Sequence, residues 1–422
     1  MASGTTAKMQ SWVENSIVPK LSKITSNYWF SLVADAVLYI VPFSMVSAIP
    51  SLWAFARKFF VVLPDISPIS TFSFGLIGLF VSFIIPYNCM VKEEHKDRSL
   101  IAGFTGIGTF MLCMPINATE DGGTVFTMAR FGAGGMFTAM FVGLIVAAIY
   151  KGFSKRSFFS EDSLIPDFVK NWFDNIVAIL ISLLLGWVVT YLANINVFTI
   201  VSILMSPLTA FAQTLPGVVF MTVLMDFFYF FGVSGWVFTP VTRTIQQAAM
   251  AENMAMVQAG QAAANINAYG FTRYTMIGGE GSTLPLAIMM MFSKSKKNKM
   301  LGKATLVPSL FNINEPLVFS TIVDNPYMLV PMVLQAIILP ANAWVWMHFG
   351  WAGCHYAMFD MNNLPNAVSA FFMAGGNWGN AVLVCVNLLL ATLIWFPFFK
   401  AYDKHQAKVE TEIEADEASD AE

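Results

Sequence analysis

The 422-residue sequence is poor in charged residues. Asp, Glu, Lys and Arg make up 12% of the chain, against about 25% in an average soluble domain. Hydrophobic residues make up 56% and the mean hydropathy is +0.63. The formal net charge of −3 gives no electrostatic reason to bind nucleic acid. This composition excludes a soluble domain with a single anchor and indicates a membrane protein with many spans.

Residue types that hold metals or act as nucleophiles are also scarce. The four cysteines form no C-x-x-C pair and lie in or beside apolar sequence, so we interpret them as small buried hydrophobes. The four histidines show no H-x-x-x-H spacing. We find no phosphate-binding glycine loop and no nucleophile elbow. These absences predict no metal, no cofactor and no covalent catalytic residue, and no polar stretch is long enough for an ATP-hydrolysing domain.

Apolar runs of the length needed to cross a bilayer, about 20 residues, recur along the chain. A weaker run, 197–213, is interrupted by Pro207. Two further stretches, 305–323 and 348–376, are rich in Asn, Pro, Gly and Trp, and we interpret them as re-entrant hairpins. The clear runs are 28–50, 70–90, 99–116, 131–150, 173–193, 215–238, 275–293, 327–347 and 379–399.

Five clusters of Lys and Arg divide these runs, and basic residues tend to stay in the cytoplasm. An even number of crossings must separate each pair of cytoplasmic clusters, which requires 197–213 to cross as well. The sequence therefore predicts an all-α polytopic protein with ten transmembrane helices, two re-entrant hairpins and cytoplasmic termini. The clusters are Lys8/Lys20/Lys23, Lys92/Lys96/Arg98, Lys151/Lys155/Arg156, Lys294/Lys296/Lys297/Lys299/Lys303 and Lys400/Lys404/Lys408.

The two ends of the chain are more polar than the rest. Residues 1–27 have apolar side chains near helical spacing, which predicts a cytoplasmic amphipathic segment at the membrane surface. Residues 401–422 form an acidic cytoplasmic tail, and we expect it to be disordered from about Val409 onward.

The stretch Phe311–Phe319, which reads F-N-I-N-E-P-L-V-F, places polar groups inside apolar sequence. Pro316 disfavours a helical backbone at Glu315. Ionisable groups are costly in lipid, and irregular backbone there must be satisfied by protein or water. The stretch therefore predicts a site for a polar solute. Asn312 and Asn314 suit hydroxyl recognition, but they could equally satisfy the backbone where the helix breaks.

Together with three other stretches, this segment resembles the lactose/cellobiose family of membrane permeases of the bacterial sugar phosphotransferase system, the enzyme IIC components. The likeness covers nearly the whole chain. The other stretches are Ile277–Leu284, which reads I-G-G-E-G-S-T-L, with the F-S-K-S-K run after it, Gly375–Phe399, and Phe131–Gly135 with the helix that follows.

The resemblance implies a homodimer in the bacterial inner membrane. Residues 28–196 would form a scaffold for dimerisation, and residues 197–400 a sugar-carrying transport domain that contains both hairpins. A disaccharide would enter from outside and receive phosphate on its 6-hydroxyl. The donor would be a separate phosphocysteine B protein, itself charged by a phosphohistidine A protein. The expected sugar is a β-glucoside or related disaccharide such as cellobiose, diacetylchitobiose or lactose.

On this resemblance, seven residues become candidates for the sugar site. Glu315 would accept sugar hydroxyls and serve as the base for the 6-hydroxyl. Trp378 could stack on a sugar face or anchor the span at the interface. Asp35 is expected to be paired or in contact with water, and His348 and His355 are expected to be hydrogen-bonded structural residues. The remaining candidates are Asn312, Asn314, Ser234, Glu280 and Asn377.

Two positions depart from the family pattern. Phe231–Gly235 reads F-G-V-S-G, so Ser234 stands where the family has histidine, and a serine cannot bind a proton near neutral pH. Glu280 occupies a place where a small neutral residue is expected. Two alternative functions therefore stay open: an ion-coupled sugar transporter in which Asp226, Glu280 and Glu315 relay protons, and a sugar sensor that kept the fold.

Overall fold

The structure is a computed structural model that describes residues 27–57, 59–60, 62–114, 117–118, 124–154, 157–159, 164–233, 235–359 and 364–420. The predicted amphipathic segment lies outside these residues except for Asn27, and Ser234 also lies outside them. The described chain consists of helices joined by irregular segments, with one antiparallel pair of two-residue strands, β1 (Asn117–Ala118) and β2 (Thr124–Val125). The predicted all-α class is confirmed.

The chain divides into two compact units. One contains Ile24–Ala210 and Thr239–Glu252, and the other contains Phe211–Phe238 and Asn253–Glu422. The division at Ala210 falls later than the sequence-based boundary between residues 196 and 197.

Within the described residues, the first unit contains eight complete α-helices, most of a ninth, and most of a later helix that it shares with the second unit. Helix α4 packs against both α5 and α7. The pair of Lys92 and Asp35, with 2.7 Å between Nζ and Oδ2, confirms that Asp35 is a paired residue. The helices are α1 (Tyr28–Tyr39), α2 (Val41–Arg57), α3 (Ser67–Thr71), α4 (Ile77–Lys92), α5 (Lys96–Leu112), α6 (Met128–Phe131), α7 (Met136–Ser154), α8 (Asp167–Trp187, then a π-helical turn Val188–Leu192) and α9 (Val197–Gln213), with 3-10 turns at Phe74–Leu76 and Ala133–Gly135.

The second unit alternates long helices with short ones and irregular backbone. Helix α15 packs against α10 and α17, and α12 packs against α13. The helices are α10 (Leu215–Phe230), α11 (Thr239–Gln258, shared between the units), α12 (Leu284–Met291), α13 (Lys296–Leu310), α14 (Glu315–Leu317, then a π-helical turn Val318–Ile322), α15 (Pro326–His348), α16 (Asn366–Met373) and α17 (Trp378–Asp420), with 3-10 turns at Gly235–Val237 and Phe271–Tyr274.

Five helical segments of the described chain are long and apolar enough to cross a membrane. They are Ser67–Lys92, Ala133–Ser154, Val169–Leu192, Pro326–His348 and Trp378–Ala415. Each overlaps one predicted run. Helices α9 and α10 together would form a sixth, but they are bent by 87° at their junction. The count of ten crossings stays a prediction.

The predicted span over 275–293 is wrong as a continuous helix. Only Leu284–Met291 is helical, a length of about 12 Å. Gly278, Gly279 and Gly281 in the preceding turn have φ values of 84°, 107° and 79°, which a right-handed helix cannot accommodate. Helix α12 packs against α13, and the first part of the apolar run, 275–283, is irregular backbone.

The predicted disorder of the acidic tail is also wrong for residues 409–420. Helix α17 continues without a break to Asp420. Its Ala, Glu and Lys residues are good helix formers. Glu414 forms an ion pair with Lys296, with 2.7 Å between Oε1 and Nζ. The tail is helical because its carboxylates have partners in the second unit.

Two of these carboxylates hold the turn between α12 and α13. Asp403 accepts hydrogen bonds from the Ser293 hydroxyl and from the backbone N–H of Lys294 at 3.0 Å. Glu410 accepts the backbone N–H of Lys296 at 2.8 Å. Unsatisfied N–H groups at a helix start favour negative charge. The end of α17 therefore fixes the start of α13, the helix that leads into the F-N-I-N-E-P stretch.

The second unit also contains a long irregular segment, 259–283, which is interrupted only by the turn Phe271–Tyr274 and is largely buried from Ile266 onward. Buried backbone groups need partners, and asparagine side chains from neighbouring elements supply many of them. Asn253 accepts the N–H of Asn265 at 2.8 Å and donates to its carbonyl at 2.8 Å. Asn366 donates to Arg273 O at 2.9 Å, and Asn387 donates to Tyr274 O at 2.8 Å.

Replacing Asp403 with Asn should lower the melting temperature of the purified protein in detergent. Hydrogen bonds to a charged acceptor contribute about 1.5–3 kcal/mol each, and the substitution removes the charge from the acceptor of four such bonds. The control is Glu412→Gln, because Glu412 is exposed and pairs with Lys408 on the same helix. Equal melting temperatures of the two variants would show that the tail does not hold the turn.

Replacing Asn387 with Leu should destabilise the second unit. The change leaves the buried carbonyl of Tyr274 without this donor, at a cost of about 1–3 kcal/mol. Thermal unfolding measures the effect. Asn171→Leu is the matched control, because the Asn171 side chain is partly exposed and makes no hydrogen bond within the described residues. A shift no larger than the control's would contradict the role given to Asn387.

Candidate functional site

Glu280 stands in a turn that glycine makes possible. Gly279 has φ 107°, and a β-carbon placed on it would clash with the side chain of Asn314. Only glycine combines this backbone conformation with so close an approach. The turn 277–283 therefore lies in close contact with the irregular backbone that follows α13.

Two asparagines of that break bind the turn. Asn314 is buried, and its Nδ2 donates to Glu280 O at 2.7 Å and to Thr283 Oγ1 at 2.8 Å. Asn312 has φ 60°, and its Oδ1 accepts the N–H of Gly278 at 2.9 Å. In this structure both amides therefore bond to protein groups and join the two irregular segments.

Glu315 follows Asn314 as the first residue of α14, and its side chain is exposed. Its carboxylate interacts electrostatically with that of Glu280, and both carboxylates interact electrostatically with Tyr229 of α10. The structure thus brings together four of the predicted site residues: Asn312, Asn314, Glu280 and Glu315.

The carboxylate of Glu280 is confined on one side by Gly235. A β-carbon on Gly235 would lie against both carboxylate oxygens. Oε1 is shut off from solvent and has no hydrogen-bond partner within the described residues. Ser234, which stands where the family has histidine, directly precedes Gly235 in the chain. Glu280 therefore lies next to a segment in which this sequence departs from the family pattern.

Asp226 of α10 completes the acidic group. It is 1% exposed, and neither carboxylate oxygen accepts a hydrogen bond of normal geometry from the described chain. It interacts electrostatically with Glu280. Sequence reasoning assigned Asp226 only to a proton relay and did not place it in the sugar site. The available signal was a lone carboxylate in the otherwise apolar stretch Leu215–Phe230.

Asn377 and Trp378 lie at the start of α17. The Oδ1 of Asn377 accepts the N–H of Gly379 at 2.8 Å, and the Trp378 ring is 74% exposed and 4.7 Å from the ring of Phe371. Within the described residues, no recorded hydrogen bond or ring contact joins them to Glu280, Asn314 or Glu315. The structure does not bring these two predicted residues into the same cluster.

A second buried network joins His355, Tyr274 and Asn380. His355 Nε2 lies 2.6 Å from the hydroxyl of Tyr274, and Asn380 Nδ2 donates to the same hydroxyl at 2.6 Å. Asn380 also accepts the N–H of Gly353 at 2.8 Å. The expectation that His355 is a hydrogen-bonded structural residue is confirmed. This network ties the turn Phe271–Tyr274 to the segment before α16 and to α17.

Comparison with known proteins identifies the family. A family model described as Phosphotransferase system, EIIC, matches residues 32–336. The lichenan permease IIC component of Bacillus subtilis (strain 168) is 27% identical over 362 residues, which cover 81% of this chain and 79% of that protein. The PTS system lactose-specific EIICB component of Staphylococcus epidermidis is 25% identical over 427 residues, 94% of this chain and 71% of that protein.

The fold has a counterpart among solved structures. The crystal structure of the transporter ChbC, the IIC component from the N,N'-diacetylchitobiose-specific phosphotransferase system, superposes with a TM-score of 0.84 at 24% identity. The match covers 95% of this chain and 99% of that chain. Because the family model spans well over half of the sequence, the chain belongs to the EIIC family of the sugar phosphotransferase system.

Proposed function

We propose that this protein is the permease component that carries a β-linked disaccharide across the bacterial inner membrane and presents its 6-hydroxyl for phosphorylation. The observation that carries the proposal is the exposed carboxylate of Glu315, which stands at a break in the backbone that Asn314 ties to the turn of Glu280. A carboxylate held at such a break suits hydroxyl recognition.

The substrate class is supported by the relatives. Lichenan, lactose and N,N'-diacetylchitobiose, which their names give, all contain β-linked hexose units. A β-glucoside such as cellobiose, diacetylchitobiose or lactose therefore remains the proposed class. Family membership favours the phosphotransferase route over an ion-coupled transporter or a sensor.

In the proposed reaction Glu315 positions the 6-hydroxyl and takes its proton. The hydroxyl oxygen forms a bond to phosphorus while the phosphorus–sulfur bond of the phosphocysteine B protein breaks, and the thiolate leaves. Phosphoryl transfer depends mainly on positioning and on charge stabilisation. Asn312 and Asn314 would fix the backbone under Glu315, and this chain would form no covalent intermediate.

Further sugar contacts are proposed for Ser234, Glu280, Asn377 and Trp378. The exposed ring of Trp378 offers an apolar face on which a sugar could stack. Because Trp378 and Glu315 share no recorded contact within the described residues, a disaccharide that touches both would have to bridge them, or the protein would have to change conformation.

We further propose a homodimer with ten crossings, two re-entrant hairpins and cytoplasmic termini. The hairpins are supported by the break between α13 and α14 and by the short helix α16 in the 348–376 stretch. The side chains of Lys294, Lys297, Lys299 and Lys303 are exposed at the start of α13. They are the proposed contact for the negatively charged phosphorylated B protein, which is charged in turn by the A protein.

Glu315→Gln should weaken disaccharide binding to the purified protein about tenfold or more, equivalent to about 1.4 kcal/mol, because a neutral amide accepts sugar hydroxyls more weakly. Isothermal titration calorimetry with a panel of disaccharides measures the change, and Glu412→Gln is the control. Equal affinity in the parent and in Glu315→Gln would place the sugar site elsewhere.

Uptake into vesicles should require phosphoenolpyruvate and the A and B proteins, and the sugar inside should be phosphorylated. A protonophore should leave the initial rate of uptake unchanged, because phosphoryl transfer supplies the driving force. The measurement is mass spectrometry of the accumulated sugar. Accumulation of free sugar that stops when the proton gradient is collapsed would contradict the proposal and favour the ion-coupled alternative.

A further inference from the structure

The short helical segment 315–322 has one buried side and one exposed side. It consists of α14 and the π-helical turn after it. The buried side contains Leu317, Val318, Thr321 and Ile322, of which Thr321, at 4%, is the most exposed. The exposed side contains Glu315, Pro316, Phe319 and Ser320. Because a carboxylate and a hydroxyl are costly against lipid, the exposed side faces water or a polar solute.

Phe319, the last residue of the F-N-I-N-E-P-L-V-F stretch, is a large apolar side chain on this polar side, and 56% of it is exposed. It follows Glu315 by four residues. Helical side chains at this spacing lie on one face, with about 5–6 Å between their β-carbons. The aromatic ring and the carboxylate therefore lie side by side, at a separation that a single hexose ring can span.

Tyr229 of α10 supports the ring of Phe319 from one side. The two ring centroids lie 6.2 Å apart, and the ring planes meet at 84°. This is the edge-to-face arrangement that aromatic pairs favour. Tyr229 is 3% exposed and packs in the same hydrophobic cluster as Leu317 and Val318. The ring of Phe319 is thus held on a buried support while much of its surface stays open, so a ligand that packs on it immobilises little further side-chain freedom.

A hexose needs such a surface next to a hydrogen-bonding group. Carboxylates and amides bind its hydroxyls, whereas the C–H groups on the face of a β-linked pyranose form an apolar patch that packs against an aromatic ring. Trp378, the other exposed aromatic candidate, has no recorded hydrogen bond or ring contact with Glu315 within the described residues. Phe319 lies in the same helical segment as Glu315, so both groups can reach one hexose unit.

We infer that Phe319 is a substrate-binding residue whose ring stacks on the hexose unit that Glu315 holds by its 6-hydroxyl. The inference rests on the proposed function and adds to it the apolar half of the sugar site. Glu315 binds the hydroxyl at the edge of the hexose, and Phe319 covers one face of the sugar ring. Tyr229 holds Phe319 in place without touching the sugar. The stack fixes the orientation of the hexose, on which phosphoryl transfer to the 6-hydroxyl depends.

The test separates an aromatic face from a merely apolar one. Binding of cellobiose to the purified protein is measured by calorimetry. Phe319→Leu keeps an apolar side chain but removes the ring, and it should weaken binding about threefold to tenfold. Phe319→Tyr keeps a ring and should bind within about twofold of the parent. Affinity equal to the parent's in Phe319→Leu, or an equal loss in both variants, would overturn the inference.

Phe220→Leu is the matched control. Phe220 is 55% exposed, and its ring lies 6.1 Å from that of Phe211. This variant should bind cellobiose as the parent does. Because both phenylalanines are exposed, both leucine variants should melt near the parent temperature. If Phe220→Leu weakens binding as much as Phe319→Leu does, the loss is not local to the site and the inference fails.

A ligand with one ring tests whether Phe319 and Glu315 hold the same hexose. Methyl β-glucoside, measured in competition with cellobiose, should lose affinity in Phe319→Leu and in Glu315→Gln, in each case by about the factor found for cellobiose. If Phe319→Leu weakens cellobiose but leaves the single-ring glycoside unaffected, the ring lies under the other hexose unit and the assignment is wrong.

The failure of this inference can be told apart from the failure of the proposed function. If Glu315→Gln weakens cellobiose binding and uptake requires phosphoenolpyruvate, but Phe319→Leu binds as the parent does, only the stacking role is wrong. If cellobiose does not bind and phosphoenolpyruvate-dependent uptake is absent, the permease proposal itself fails, and the inference that rests on it falls as well.

Discussion

The structure depends on how a highly apolar chain satisfies irregular backbone that it buries. The backbone N–H and C=O groups of segment 259–283 and of the break at 311–314 lack the internal hydrogen bonds that a continuous helix would provide. Asparagine side chains from α11, α16 and α17 bond many of those groups. An amide offers a donor and an acceptor without charge, so it can do this in apolar surroundings more cheaply than an ionised group can.

The candidate site follows from this arrangement. Asn312 and Asn314 use the same chemistry to fasten the break after α13 to the turn of Glu280. The far end of α13 is held by Asp403 and Glu410. Glu315 therefore lies just beyond a helix, α13, that is fixed at both ends. This rigidity suits a site that must hold a hydroxyl in line for phosphoryl transfer, since transfer depends on positioning.

Much of the architecture could be predicted, because hydropathy indicates which segments lie in the membrane and basic clusters indicate which loops face the cytoplasm. The F-N-I-N-E-P stretch also stood out, since polar residues are rare in this chain. Segment 275–283 was mistaken for part of a span because glycine is neutral in hydropathy, and only its backbone angles reveal the turn. Helix α17 beyond Val409 was missed because its stability comes from long-range bonds to the turn before α13. The positions of Asn377 and Trp378 relative to Glu315 could not be predicted, because these residues are far apart in the sequence.

Hydrogen–deuterium exchange of the ligand-free protein, read at the backbone amides of residues 264–283, tests the central claim most directly. If side-chain amides hold this irregular segment, its buried N–H groups should exchange about as slowly as those in helix α15. Asn253→Leu should release protection at Ala264 and Asn265 while leaving α15 protected. Fast exchange throughout 264–283 in the parent protein, at the rate of an exposed loop, would contradict the account.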